Sequence, residues 1–315
     1  MSDFSSPVVC LGILVADVIG RPIDAYPAHG TLQLVESITP HIGGCAANTG
    51  IGLQTLGIPT RVAGKVGRDG FGAFVKGELK AHGVQTAGVV EDIAAPTSAT
   101  MVMVRSDAER AFLHCTGANA TFSLADFDLD VLNGAAFLHI AGHGLLPRFD
   151  GAECAQLLKI ARERSIKTSL DTAGAPDALW TENLRQTLPF LDYFVPSLHE
   201  VTHLFPDENS PENIAARLLE AGVGVVALKM GERGSFVTDG RQSHVVPPYS
   251  VTAVDATGAG DAFAAGFLCG VLKGFDLKKC AQLGNAAGAL CVTQVGTVAG
   301  YLSLEATLAF IKDNT

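Results

Sequence analysis

The stretch Asp255-Ala256-Thr257-Gly258-Ala259-Gly260-Asp261-Ala262-Phe263 sets two bare glycines and a carboxylate at the head of an apolar run that continues to Leu272. A β-branched segment, Val251 to Val254, precedes it, so the expected order is strand, glycine turn, helix. Gly258 and Gly260 carry no side chain to keep an anion from the backbone N–H groups at the helix start. Those N–H groups and the positive end of the helix dipole favour phosphate. A carboxylate placed there, Asp261, would repel a phosphate unless it serves as a base for an incoming hydroxyl. The combination points to phosphoryl transfer.

Two familiar nucleotide motifs do not fit. Gly-x-Gly-x-x-Gly fails at Phe263, where the third glycine would stand. Near Gly64-Lys65, Pro59 replaces the first glycine of a P-loop and Val66 its hydroxyl residue. His199-Glu200-Val201-Thr202-His203 matches His-Glu-x-x-His, in which two histidines one helical turn apart hold zinc. No third ligand stands at a recognised spacing, so zinc is the weaker reading. His139 and His143 are also four apart, but Gly142 and Gly144 argue against a helix and favour core or loop histidines.

The elements that must position these groups alternate. Apolar β-type runs at Val8–Leu14, Arg61–Val66, Ala136–Ala141, Thr168–Asp171, Tyr193–Pro196, Val225–Lys229 and Ser235–Thr238 interleave with helical patterns. The helical stretches are Ala46–Leu56, Phe71–His82, Gly151–Arg164, Ile214–Ala221 and Leu277–Val292, with one more opened by the glycine motif. This is the pattern of an α/β protein with a mainly parallel sheet covered on both faces by helices, three layers in all. Two segments break the rhythm: Thr31–Ile42 alternates, and Thr100–Val104, Ser106–Glu109 and Arg110–Cys115 read as strand, turn, strand. They imply a small β-sheet lid, inserted from about residues 16–42 and 97–117 into a single domain spanning 1–315.

Composition bounds the partners. The chain of 315 residues has a formal net charge of −10 and no Lys/Arg-rich run, which disfavours nucleic acid and anionic membranes. No apolar run reaches the roughly 18–20 residues of a membrane span. The 7 cysteines are scattered without a Cys-x-x-Cys pair, as in a protein of the reducing cytoplasm.

At this point the chain resembles the PfkB, or ribokinase-like, carbohydrate kinases. Residues Asp255 to Phe263 match their C-terminal signature. Gly43-Gly44-Cys45-Ala46-Ala47-Asn48, followed by Gly64-Lys65-Val66-Gly67-Arg68-Asp69-Gly70-Phe71-Gly72, matches the N-terminal one. The resemblance covers essentially the whole chain. It implies an ATP-dependent kinase in which Asp261 takes the proton of a sugar hydroxyl while the amides of Gly258, Ala259, Gly260 and Asp261 hold the phosphate.

The same resemblance implies further roles. Asp17, Gly43, Gly44 and Asn48 would bind the sugar, although helix–strand packing also explains the glycines. Lys229, Gly231 and Gly234 match the nucleotide loop, where Lys229 reaches a phosphate or is a solvated strand end. Asn285 matches a position beside adenine or else faces solvent. Glu200 occupies the place of a Glu that orders Mg²⁺ and its waters, with Ser197 departing from the usual Asn. Asp255 and Thr257 match a monovalent-cation site for K⁺, with a turn cap as the equal alternative for Asp255.

The substrate is less legible. Ribokinases carry Asn where Val15 stands, Lys where Cys45 stands, and a Glu in the region of His139–Gly142, so ribose is not the default. A monosaccharide or sugar acid leads. A nucleoside is the alternative, with Phe112 as a candidate wall for a base, and a non-catalytic sugar sensor comes last. The unpaired edges of the lid imply a homodimer joined through it.

Overall fold

The computed structural model describes residues 6–107, 109–174 and 176–314. In chain order the elements begin with β1 (Val8–Gly12), β2 (Val15–Arg21), β3 (Ser37–Gly43), α1 (Cys45–Thr55), β4 (Thr60–Gly67), α2 (Gly70–Ala81) and β5 (Gln85–Asp92). There follow β6 (Ala99–Val104), β7 (Arg110–Cys115), β8 (Phe137–His143), α3 (Ala152–Glu163), β9 (Lys167–Thr172), α4 (Ala178–Thr187), β10 (Tyr193–Phe194) and α5 (Leu198–Val201). The last are α6 (Pro211–Glu220), β11 (Val225–Lys229), β12 (Ser235–Thr238), β13 (Ser243–Val246), α7 (Ala259–Leu272), α8 (Leu277–Cys291) and α9 (Leu304–Asp313).

A 9-stranded sheet runs in the order β13-β12-β11-β10-β9-β8-β1-β4-β5. From β5 to β11 its pairs are parallel, and β12 and β13 are added antiparallel. Alternation along each strand feeds two cores. Val9, Leu11, Leu138 and Ile140 join Leu157, Leu184 and Leu218 of α3, α4 and α6 on one face. Val8, Cys10 and Phe137 join Ile51, Leu79, Phe267 and Leu283 of α1, α2, α7 and α8 on the other. Each fully buried Leu or Ile contributes about 1.5–3 kcal/mol, so the sheet is clamped from both sides.

A separate 4-stranded sheet, ordered β3-β2-β6-β7, comes from two insertions. The chain leaves the main sheet at Leu14, whose N–H and C=O are both bonded by the Asn119 side chain at 3.2 and 3.0 Å. The strand expected over Val8–Leu14 therefore ends at Gly12, the apolar run continues to Ala16 as a second strand in a second sheet, and Asp17 lies on β2 of the small sheet.

Other expectations need correction. No strand leads into the glycine motif, because Val251–Val254 forms no ladder. Instead, the N–H groups of Val254 and Asp255 both donate to the Val292 carbonyl, at 2.7 and 3.1 Å. The alternating run from Thr31 becomes strand only at Ser37, and Leu32 and Leu34 stand exposed. Ala108, within the turn expected over Ser106–Glu109, lies outside the described residues, as do residues 1–5 of the expected domain. No helix among the described residues is long and apolar enough to cross a membrane.

Candidate active site

Helix α7 begins at the glycine turn. Gly258 is its N-cap with φ 82°, a left-handed conformation that side chains resist, and a Cβ there would lie 2.8 Å from the Thr297 carbonyl. Among the described residues the N–H groups of Gly260 and Asp261 have no acceptor, as expected in the first turn of a helix. Helix α1 starts in a similar way at Gly44, with φ 92°.

The two helix starts meet. Asn48 Nδ2 donates to Asp261 Oδ2 at 2.8 Å, and both side chains are buried. The Cys45 thiol also hydrogen-bonds the Asp261 carboxylate. Burial pushes Asp261 up to about 6, helped by the Asp171 carboxylate, while Asn48, Lys229 and Cys45 pull it back. Asn48 Oδ1, also buried, accepts nothing among the described residues.

Lys229, at the end of β11, does not extend into solvent. Its Nζ is 2.6 Å from both Asp171 Oδ1 and Oδ2. A Cβ on Gly260 would sit 3.1 Å from the same Nζ, so the ammonium lies over the glycine turn. Glu200 Oε2 accepts from Thr172 Oγ1 at 2.7 Å and from the Ser197 N–H at 3.4 Å. Burial raises Glu200 against these bonds and against the attraction of Lys229. His199 and His203 pair with each other, ring centroids 5.6 Å apart, and His203 Nδ1 meets the His199 carbonyl at 3.2 Å. Glu200 therefore belongs to the buried strand ends and not to a histidine pair. His139 and His143 are fully buried on β8.

The small sheet roofs a cavity of about 250 Å³. Register places His41, Asp17, Thr100 and His114 in one row across its four strands, Asp17 opposite both His41 and Thr100, and Thr100 opposite His114. All four line the cavity, whose other walls include Gly44 and Thr257 from the two glycine motifs. Thr100 hydrogen-bonds Asp17 and meets His114 Nδ1 at 3.1 Å. Asp17 is raised by burial, with Thr100, His114 and His41 opposing. Its carboxylate lies so close to Gly43 that any side chain there would displace it.

Asp255 and Thr257 face a cation that the chain itself supplies. Arg110 Nη1, from β7, is 2.7 Å from Asp255 Oδ1 and 3.3 Å from Thr257 Oγ1. Asp255 also accepts from the N–H groups of Thr257 and Gly296. Both features read from the sequence as a monovalent-cation site thus already bear a guanidinium, and K⁺ does not fit this arrangement. Asn285 is buried, not solvent-facing, and its Nδ2 holds the carbonyls of Val246 and Pro247 at 3.1 and 2.9 Å. Gly231 opens a short 3₁₀ turn after β11, and Gly234 closes it with φ 81°.

Five groups escaped the sequence reading: Asp171, Arg110, His41, Thr100 and His114. Asp171 carried a usable signal, a carboxylate at the carboxyl end of a parallel strand, where ligands bind such sheets. The other four became visible only with the register of the small sheet.

The fold and this site define a phosphotransferase architecture, and comparison gives the class. The model of the pfkB family carbohydrate kinases matches residues 5–303. The chain is 31% identical over 250 residues to an uncharacterized sugar kinase of Archaeoglobus fulgidus, covering 79% of this chain and 98% of that one. It is 28% identical over 300 residues to the 2-dehydro-3-deoxygluconokinase of Bacillus subtilis, covering 90% of each. An E. coli chain designated ribokinase II, solved in complex with ATP and Mg²⁺, superposes with a TM-score of 0.86 at 26% identity, covering 98% of this chain and 99% of that one. The chain belongs to the PfkB family of carbohydrate kinases and is a sugar kinase of that family.

Proposed function

We propose that this kinase transfers the γ-phosphate of ATP to a hydroxyl of a monosaccharide or sugar acid bound beneath the small sheet, which acts as a lid on one domain. The observation that carries this reading is the bond from Asn48 to Asp261. It joins the motif that lines the sugar cavity to the motif that receives the phosphate. Asp261 takes the proton of the attacking hydroxyl as the new O–P bond forms, and the bond from the γ-phosphorus to the ADP oxygen breaks. The amides around Gly258, Ala259 and Gly260, together with Lys229, hold the phosphoryl oxygens.

The row His41–Asp17–Thr100–His114 supplies alternating donors and acceptors for a polyol. A cavity of about 250 Å³ is small beside the ~300–1,000 Å³ typical of larger ligands, which favours one sugar ring. Phe112, on the same face of the small sheet and exposed, supports a nucleoside as the second reading.

The nucleotide is read to lie along Lys229, Gly231 and Gly234, with Asn285 fixing the backbone at 246–247 beside it. Glu200 fits a water-mediated Mg²⁺ site: it is a hard carboxylate whose Oε1 accepts from no group among the described residues. Held there, Mg²⁺ would supply positive charge to offset that of the ATP phosphates. Ile38, Met101 and Leu113 project from the opposite face of the small sheet and are exposed, which supports a homodimer through that face. The free thiols suit a reducing cytoplasm.

The direct test is ADP release with Mg²⁺ and ATP over a panel of sugars, sugar acids and nucleosides. Sustained, stoichiometric turnover with a sugar or sugar acid is the expected result. Turnover with nucleosides alone would replace the substrate reading, and the binding of sugars without turnover would replace the kinase reading by a sensor.

A further inference from the structure

The buried pair of Lys229 and Asp171 carries an inference that deepens the reading above and rests on it. Asp171 is the penultimate residue of β9 and Lys229 ends β11, with β10 between them. Strand β10 stops after Tyr193–Phe194, and the side chains on either side meet across its short end. Their exposure is only 4% and 14%, so the pair is isolated from water.

Three carboxylates attract this ammonium: Asp171, Glu200 and Asp261. Lys229 is held by both oxygens of Asp171, yet it also attracts and is attracted by Asp261. We propose that Asp171 is a positioning residue that anchors Lys229 over the Gly260 backbone and keeps it off Asp261. The ammonium then meets the transferring phosphoryl group while the base stays unpaired and able to accept a proton. Without Asp171, a buried ammonium would settle on a remaining carboxylate, because an unpaired charge in such a place is costly. The carboxylates left to it are Glu200 and Asp261, and on either one it no longer lies over Gly260. The phosphate would lose its cation, and an ammonium settled on Asp261 would weaken the base as well.

The electrostatic surroundings agree. Burial lowers the affinity of Lys229 for its proton, but Asp171, Glu200 and Asp261 more than offset this and keep it cationic. Asp171 is pushed up to about 6 by burial against the pull of Lys229, so the pair is ionised at neutral pH. The other titratable groups facing Asp261 are Glu200 and the thiols of Cys10, Cys45 and Cys291, with the Tyr301 phenol. Burial raises those thiols and that phenol, leaving them neutral. Glu200 and Asp171 are thus the other carboxylates around the base, and Lys229 the nearby cation.

The experiment compares Asp171→Asn, Asp171→Glu, Lys229→Met and the double variant Asp171→Asn/Lys229→Met with an active wild type. For Asp171→Asn the expected result is a kcat lower by about tenfold or more with the sugar KM unchanged, on the scale of lost oxyanion-type contacts. The acid limb of its pH profile moves to lower pH. Asp171→Glu recovers part of kcat. Lys229→Met moves the limb the other way, and the double variant is no slower than Lys229→Met alone. Carboxyl ¹³C titration of Asp261 in the substrate-free protein, assigned with Asp261→Asn, follows the same shifts without any turnover. An unmoved Asp261 titration in Asp171→Asn, or losses that multiply in the double variant, would overturn the proposal. A wild type inactive on every sugar would instead strike the kinase reading, leaving the carboxyl titration to decide this one.

Discussion

Asn48 Nδ2 and Asp261 Oδ2 lie 2.8 Å apart although 213 positions separate them in the chain. The bond runs from the first turn of α1 to the first turn of α7, so each motif sets the geometry of the other. It leaves Asn48 Oδ1 without a partner among the described residues. Replacing Asn48 by Leu keeps similar bulk and removes the donor. A hydrogen bond to a buried charge contributes about 1.5–3 kcal/mol. We expect kcat/KM to fall by about 10- to 150-fold and the acid limb of the pH profile to rise. Steady-state kinetics across pH checks both, and unchanged kinetics would remove Asn48 from the site.

The raised Asp261 gives a pH prediction with a definite sign. Burial favours its neutral form, and only the ionised form accepts a proton. Activity is therefore held above about pH 6 and lost as pH falls through that value, well above the range where an ordinary aspartate protonates. The same group titrates with the opposite consequence for stability. Its raised folded pKa favours the fold below the unfolded value near 3.8, and that contribution is lost as pH rises through about 6. Activity and melting temperature measured over pH 4–8 on the order of half-unit steps check the two trends separately.

Arg110 ties the small sheet to the turn before α7 through Asp255 and Thr257. Because the guanidinium already neutralises Asp255, we expect activity to be the same in K⁺ and in tetramethylammonium buffers. Arg110→Ala leaves that buried carboxylate without its cation, a change that costs several kcal/mol for a fully buried pair and less for this half-buried one. The variant should show a raised sugar KM, and added K⁺ should restore part of it. K⁺-dependent activity in the wild type would contradict this account of Asp255.

The sequence disclosed the alternation of strands and helices, and with it the large parallel sheet, because strands buried on both faces write themselves as apolar runs. It also disclosed the glycines at both helix starts, since left-handed N-caps such as Gly258 admit few alternatives. It did not disclose where one apolar run divides. Nothing in Val8–Ala16 marks the exit at Leu14, which is held by a remote side chain, Asn119. Val251–Val254 has strand-forming residues but no neighbouring strand to pair with, so composition alone misled. Lys229 could be read as reaching phosphate or solvent. Its capture by Asp171 depends on how short β10 is, a property of the sheet and not of the local residues. Asp69, inside the second matched motif, caps α2 and holds Thr97, so that motif includes a structural contact.

The central claim is that Asp261 removes the hydroxyl proton during phosphoryl transfer. Asp261→Asn keeps the shape and the contact with Asn48 while abolishing the base. Single-turnover transfer from γ-³²P-ATP to the best sugar of the panel, with nucleotide binding measured by calorimetry, tests it most directly. Loss of a positioned general base predicts a fall of roughly 10²–10⁴-fold in the transfer rate, with ATP affinity retained. Transfer within a few-fold of wild type would contradict the account.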